Sequence, residues 1–195
     1  MSQRKAALTR TTNETNVKVA LHLDKAQPVK ISTTIPFLDH MLTLLSSHAT
    51  MSLVVEAKGD TEIDDHHLAE DIGITLGQAL TKALGDKKGI SRYGNFLLPM
   101  DEALSYIALD ISGRPLLDYE VPFKAPFVGF DYDLLQEFFY ALAMNAKITL
   151  HISLKRGRNN HHIAESLFKG FAKALAQAIS YSKRGAGIPS TKGVL

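Results

Sequence analysis

The chain spells His-His-x-x-Glu twice, as His66, His67 and Glu70 and again as His161, His162 and Glu165. The copies lie 95 residues apart, about half of 195, and hold four of the eight histidines. On a helix, residues four apart stand one turn apart, so a glutamate and a histidine of one copy can share an ion. The two adjacent histidines point roughly 100° apart around the axis. They are poorly placed to chelate one ion together and well placed to serve two. The simplest arrangement has two ions, each taking one histidine from each copy and one glutamate, within one chain or across a subunit interface. Polar residues do favour helix starts, but two matched copies, each before an apolar helical pattern, outweigh that reading. The order is not the H-E-x-x-H of zinc proteases, nor the E-x-x-H of di-iron bundles.

Other histidines complete the count. His40 lies in FLDHM on an apolar helix, and His151 lies in the strand feeding the second motif. Alone, each reads as a structural histidine. With the motifs, His40, His66, His67, His151, His161 and His162 join Glu70 and Glu165 as six imidazoles and two carboxylates. Shared between two ions, that is three histidines and one glutamate each, with two octahedral positions left for water or substrate. There are no cysteines, so thiolate sites are excluded and a six-coordinate Mn, Fe, Co or Ni ion is favoured over structural zinc. His48 is read as beginning the next strand, and His22 as structural.

Arg92, Arg114, Lys169, Ser190 and Lys192 offer a phosphate clamp beside the metals, since arginine binds phosphate bidentately. Singly, each cation reads as a solvated surface charge. The balance of 22 basic against 20 acidic residues, a net charge of +2, argues against nucleic acid as a partner. No apolar leader opens the chain and no run reaches membrane-spanning length. A soluble cytoplasmic protein with no membrane partner is expected.

Elements that must position these groups follow from periodicity. Val17, Val19, Leu21 and Leu23 alternate in a half-buried strand over 17–24, and 27–33 reads as its hairpin partner. Pro36 opens a helix through FLDHMLTLLSSHA. A strand over 51–57 and a turn at 58–60 lead to the first motif helix, stopped by Gly85 near residue 84. The order then repeats: strands at 104–112 and 116–121, a helix at 131–145, a strand at 147–155, and the second motif helix to about residue 181. A shift of 95 lays 53–57 on 148–152. The fold class is α+β, with two tandem β-β-α-β-α halves, each a sheet covered by helices on one face. One compact catalytic domain is expected, from repeats at about 10–90 and 91–185 and a substrate-binding tail at 186–195.

The segments DDHHLAED, NNHHIAES, FLDHM, RYGNFLLPMDEAL, SGRP and PSTKGVL resemble imidazoleglycerol-phosphate dehydratases of histidine biosynthesis, in their single-function form. The likeness runs from Asn13 to Leu195. It implies a fold like the second domain of ribosomal protein S5, duplicated. It implies two manganese ions per active site, bound by the eight ligands named above. It also implies a homo-oligomeric shell of 24 subunits with active sites at interfaces. The implied reaction dehydrates D-erythro-imidazole glycerol phosphate to imidazole acetol phosphate and water. Arg92, Arg114, Lys169, Ser190 and Lys192 match the family's phosphate-binding positions, His48 a histidine near the substrate, and Glu14 and Asp101 polar positions near the reacting carbons. Glu14 is the candidate for handling a proton. The chain departs from the family at Leu44, where glutamine is usual, and at Ala49-Thr50, where Gly-Gly or Gly-Leu is usual. A dinuclear metallophosphatase and a metal-stapled shell protein are the rival readings. Release of inorganic phosphate would mark the first, and metal-dependent assembly without turnover the second.

Overall fold

The structure, a computed structural model, describes residues 3–124, 129–182 and 187–195. The expected first residue of the tail, 186, and the expected end of the second repeat, 183–185, lie outside the described residues. The first half runs β1 (Lys5–Thr11), β2 (Thr15–His22), β3 (Val29–Ser32), α1 (Pro36–Ala49), β4 (Ser52–Gly59) and α2 (His66–Leu84). The second runs β5 (Tyr93–Met100), β6 (Ala103–Asp110), β7 (Leu116–Glu120), α3 (Leu134–Ala146), β8 (Thr149–Arg156) and α4 (Asn160–Ile179). The β-β-α-β-α order is present twice, and each copy is preceded by one more strand, β1 or β5. Both are edge strands. In β1 only Ala6 is buried, and β5 carries Gly94 and Pro99, so neither shows the apolar alternation of a central strand.

Each half forms a four-stranded mixed sheet, ordered β1-β2-β4-β3 and β5-β6-β8-β7. This corrects one expectation. Segment 27–33 is not the hairpin partner of the strand before it; that partner is β1, with Leu8 opposite Val19. β3 instead pairs parallel with β4, Val29 opposite Leu53. The reason is the helix between them. A β3-α1-β4 unit is a crossover, and a crossover returns the chain parallel. β7-α3-β8 repeats it, with Asp118 opposite His151.

The buried positions Leu38, Met41, Leu42, Leu45 and Ala49 of α1 recur on α3 as Leu135, Phe138, Phe139, Leu142 and Ala146. That shift is 97, and the limits of β4 and β8 recur at the same shift. The motifs recur at 95 because the loop before the second one is two residues shorter. The expected overlay of 53–57 on 148–152 is therefore two residues off. The inward face is unchanged, since a strand's side chains alternate with period two.

α1 and α2 cover the inner face of the first sheet, α3 and α4 that of the second, and the pairs then pack crosswise, α1 on α4 and α2 on α3. One hydrophobic cluster runs through both halves. The α2–α3 crossing is close because Gly73 and Gly77 sit one turn apart. A Cβ on either would stand 2.6 Å from a carbonyl oxygen of α3, that of Phe138 or Leu142. Among the described residues no helix is long and apolar enough to cross a membrane.

Candidate functional site

Because α1 packs on α4, His40 meets the start of the second motif helix. His40 Nε2 donates to Glu165 Oε1 at 2.8 Å, and His161 Nε2 donates to the same oxygen at 3.2 Å. Lys169 Nζ donates to Glu165 Oε2 at 2.5 Å. Burial pushes the Glu165 carboxyl up, but Lys169, His40 and His161 outweigh it and hold the group down at about 2. The two imidazole rings stack with their planes 29° apart and centroids 5.7 Å apart, and Phe37 stands edge-on to His161. They open onto a cavity of about 590 Å³ shared with Phe130, Tyr132 and Asp65, the last preceding the first motif. His40, His161 and Glu165 thus aim their ligand atoms at one point, all within 4.8 Å of one another.

The second histidine of each motif is held differently. His162 Nδ1 donates to Glu102 Oε2 at 2.7 Å. Glu102 Oε1 accepts the backbone N–H groups of Arg158 and Asn159 at 3.1 and 2.8 Å. Asn159 caps α4 through its side-chain oxygen, which accepts from His161 N at 2.9 Å. Four donors fix this corner, and the Glu102 carboxyl is held down at about 2, chiefly by the His162 bond. That bond in turn raises the His162 imidazole. His67 Nδ1 donates to Asp60 Oδ2 at 3.0 Å, with Glu14 Oε2 at 3.6 Å, and the Asp60 bond leads in raising its imidazole. His66 sets its ring perpendicular to that of His67, centroids 6.1 Å apart. Glu70, one turn on, is half-buried.

His151 goes elsewhere. Leu150 and Ile152 are buried in the core, so alternation turns His151 to the outer face of the second sheet, away from the helices. There its Nδ1 donates to Asp118 Oδ2 at 2.9 Å. Within one chain it cannot join His40, His161 and Glu165.

Four of the five phosphate candidates lie around the C-terminal tail. Arg92 grips Asp110 with two bonds, 2.7 and 3.0 Å, and donates from Nη1 to the Pro189 carbonyl at 3.0 Å. Arg114 Nη2 stands 3.8 Å from the same Asp110. Ser190 follows Pro189 directly and Lys192 lies two residues further on, and Leu195 backs onto Gly113, beside Arg114. Lys169 is not among them; it is committed to Glu165. His48 is in the last turn of α1 rather than in the next strand. Burial lowers its imidazole, reinforced by Lys173 and Lys169. Asp101 is exposed, 3.7 Å from His162 Nε2. Leu44 packs half-buried against the core.

Sequence reasoning misses Asp60, Glu102 and Asp118. Residue 60 reads only as part of a turn, and residue 102 stands beside the candidate Asp101. Asp118 faces His151 only through a parallel pairing that sequence neighbours do not announce.

The imidazoleglycerol-phosphate dehydratase family model matches residues 33–175. The imidazoleglycerol-phosphate dehydratase of Endomicrobium trichonymphae is 62% identical over the full length of both chains. That of Bacillus velezensis is 52% identical over 98% of this chain and all of its own. Among solved structures, the Pyrococcus furiosus enzyme superposes with a TM-score of 0.85 at 40% identity, covering 96% of this chain and 100% of that one. The Staphylococcus aureus enzyme does so with 0.83 at 42%, covering 91% and 99%.

Proposed function

The chain belongs to the imidazoleglycerol-phosphate dehydratase family, and from that premise we propose that it dehydrates D-erythro-imidazole glycerol phosphate in L-histidine biosynthesis on two bound divalent ions. It is a hydro-lyase, and its product is imidazole acetol phosphate. The observation that carries the metal reading is the convergence of His40 Nε2 and His161 Nε2 on one buried carboxylate, Glu165. Nitrogen and carboxylate-oxygen donors without sulfur suit Mn(II), so the residues fit the ion. His40, His161 and Glu165 would hold one ion. Glu70, His66, His67, His151 and His162 supply the remaining ligands. When bound, the ions supply Lewis acidity at the substrate imidazole.

The chain's own groups do the rest. Arg92, Arg114, Ser190 and Lys192 anchor the phosphate and so orient the reacting end. Glu14, exposed beside His67, moves a proton at its carboxylate, and Asp101 and His48 face the substrate near it. Lys169 holds Glu165 ionised.

The same reading makes the protein a homo-oligomer of 24 subunits in the cytoplasm, one catalytic domain per chain, with sites completed between copies. What supports shared sites is the outward placement of His151, on the opposite side of its sheet from His161 and Glu165. The test is ketone formation from imidazole glycerol phosphate by metal-stripped protein, with and without Mn(II). Ketone only with metal is expected. No ketone despite bound metal would overturn the reading.

A further inference from the structure

We propose that Glu102, Asp60 and Asp118 are positioning residues for three of the metal histidines, His162, His67 and His151, an inference that rests on the ligand assignment above. In all three pairs the imidazole uses Nδ1, at 2.7, 3.0 and 2.9 Å, and the partner is a carboxylate that is not itself a ligand. A carboxylate only accepts, so each Nδ1 carries the proton and each Nε2 is left as the lone-pair nitrogen that a metal needs. Among the described residues Nε2 of His67 and of His151 meets no protein partner, and that of His162 has only Asp101 at 3.7 Å.

The pattern separates these rings from His40 and His161, which turn Nε2 toward the ligand carboxylate Glu165. It also arises three times from unrelated places: a turn between strands for Glu102, the loop after β4 for Asp60, and the neighbouring parallel strand for Asp118. Asp60 adds a second argument. Its side chain is 14% exposed, and its other oxygen, Oδ1, is buried without a partner. A half-satisfied buried carboxylate is costly, and among the described residues the one side-chain bond of Asp60 is to His67. Glu102 has the opposite economy, spending one oxygen on the loop before α4 and the other on His162.

Asp118 gives the cleanest test, because it is 56% exposed and, among the described residues, its only side-chain bond is to His151. The experiment titrates Mn(II) into metal-stripped full-length protein and follows free Mn(II) by electron paramagnetic resonance. Asp118→Ala is expected to weaken one of two classes of site by about 10- to 100-fold, the usual cost of losing such a partner. The thermal midpoint of the metal-stripped protein should not move. Asp118→Asn keeps an acceptor oxygen and should restore most of the affinity. His151→Asn should remove that class of site. Wild-type affinity in Asp118→Ala, with loss in His151→Asn, overturns the positioning role and leaves the ligand assignment standing. Retention of both classes in His151→Asn removes the ligand assignment, and this inference with it. A lowered midpoint in Asp118→Ala that Asp118→Asn does not rescue marks a structural role and also overturns it.

Discussion

Glu14 and Glu102 hold the same place in the two halves. Each immediately precedes the second strand of its half, β2 or β6, and brings its carboxylate to Nδ1 of the second motif histidine, at 3.6 and 2.7 Å. The halves then diverge. In the second, Glu102 binds the ring directly. In the first, Asp60 takes that position, and Glu14 stays 57% exposed at the edge of the site. One glutamate clasps its motif histidine, and the other, exposed, is the one proposed to move a proton.

Glu14→Gln is therefore expected to lower kcat by about 100-fold or more while the bound manganese, counted by elemental analysis, stays at the wild-type level. Full turnover in this variant would remove Glu14 from proton transfer.

Arg92 and Arg114 share Asp110 but differ in burial, 12% against 69% exposed. Arg114→Ala should raise KM by about 10- to 100-fold and leave stability within about 0.5 kcal/mol. Arg92→Ala should raise KM and also cost about 2 kcal/mol, because Asp110 loses its bidentate partner and the tail loses its anchor at Pro189. Equal thermal midpoints for the two variants would refute this division.

Thr50 ends α1 in the left-handed conformation, φ 57° and ψ 40°. A β-branched residue is strained there. Thr50→Gly should stabilise the protein by about 1 kcal/mol, read as a higher urea midpoint with an unchanged slope. A lower midpoint would show that the Thr50 side chain makes contacts worth more than the backbone strain.

Asp24 pairs with the buried Arg4, whose guanidinium also reaches the Ile179 carbonyl at the end of α4. The hydrogen bond from Arg4 holds the Asp24 carboxyl below its ordinary range. A carboxyl lowered on folding stabilises the native state in full above its unfolded value, near 3.9. That contribution is lost as pH falls through the lower folded value. Wild type should exceed Asp24→Asn in urea midpoint at pH 7, and the gap should close below about pH 4. A gap that persists unchanged to pH 3 would show that the pair's charge contributes nothing.

How far the sequence reveals this site depends on the range of the interaction. α1 and α2 are legible because Pro36, the apolar steps and Gly85 are local signals, and α4 follows from its matching motif. β1 and β5 are not, since an edge strand with one buried position in seven, or two in eight, shows little alternation. Six of the eight ligand candidates are legible as residue types at repeated spacing, and His40 and His151 join them only through the count of histidines. Their grouping is not: His40 reaches Glu165 only through the α1–α4 packing, and His151 faces away from both. The partners Asp60, Glu102 and Asp118 fall between, each close in space for a reason that lies in strand register or loop path.

The crosswise packing of α1 on α4 and α2 on α3 bears on ancestry. A chain of half this length would fold its sheet but leave two helices with bare apolar flanks. Joining an identical partner would cover them. The two halves of this chain cover each other in the way the two subunits of such a dimer would. Joined in one chain, the halves need not be identical, and His40 and His151 each stand in one half alone.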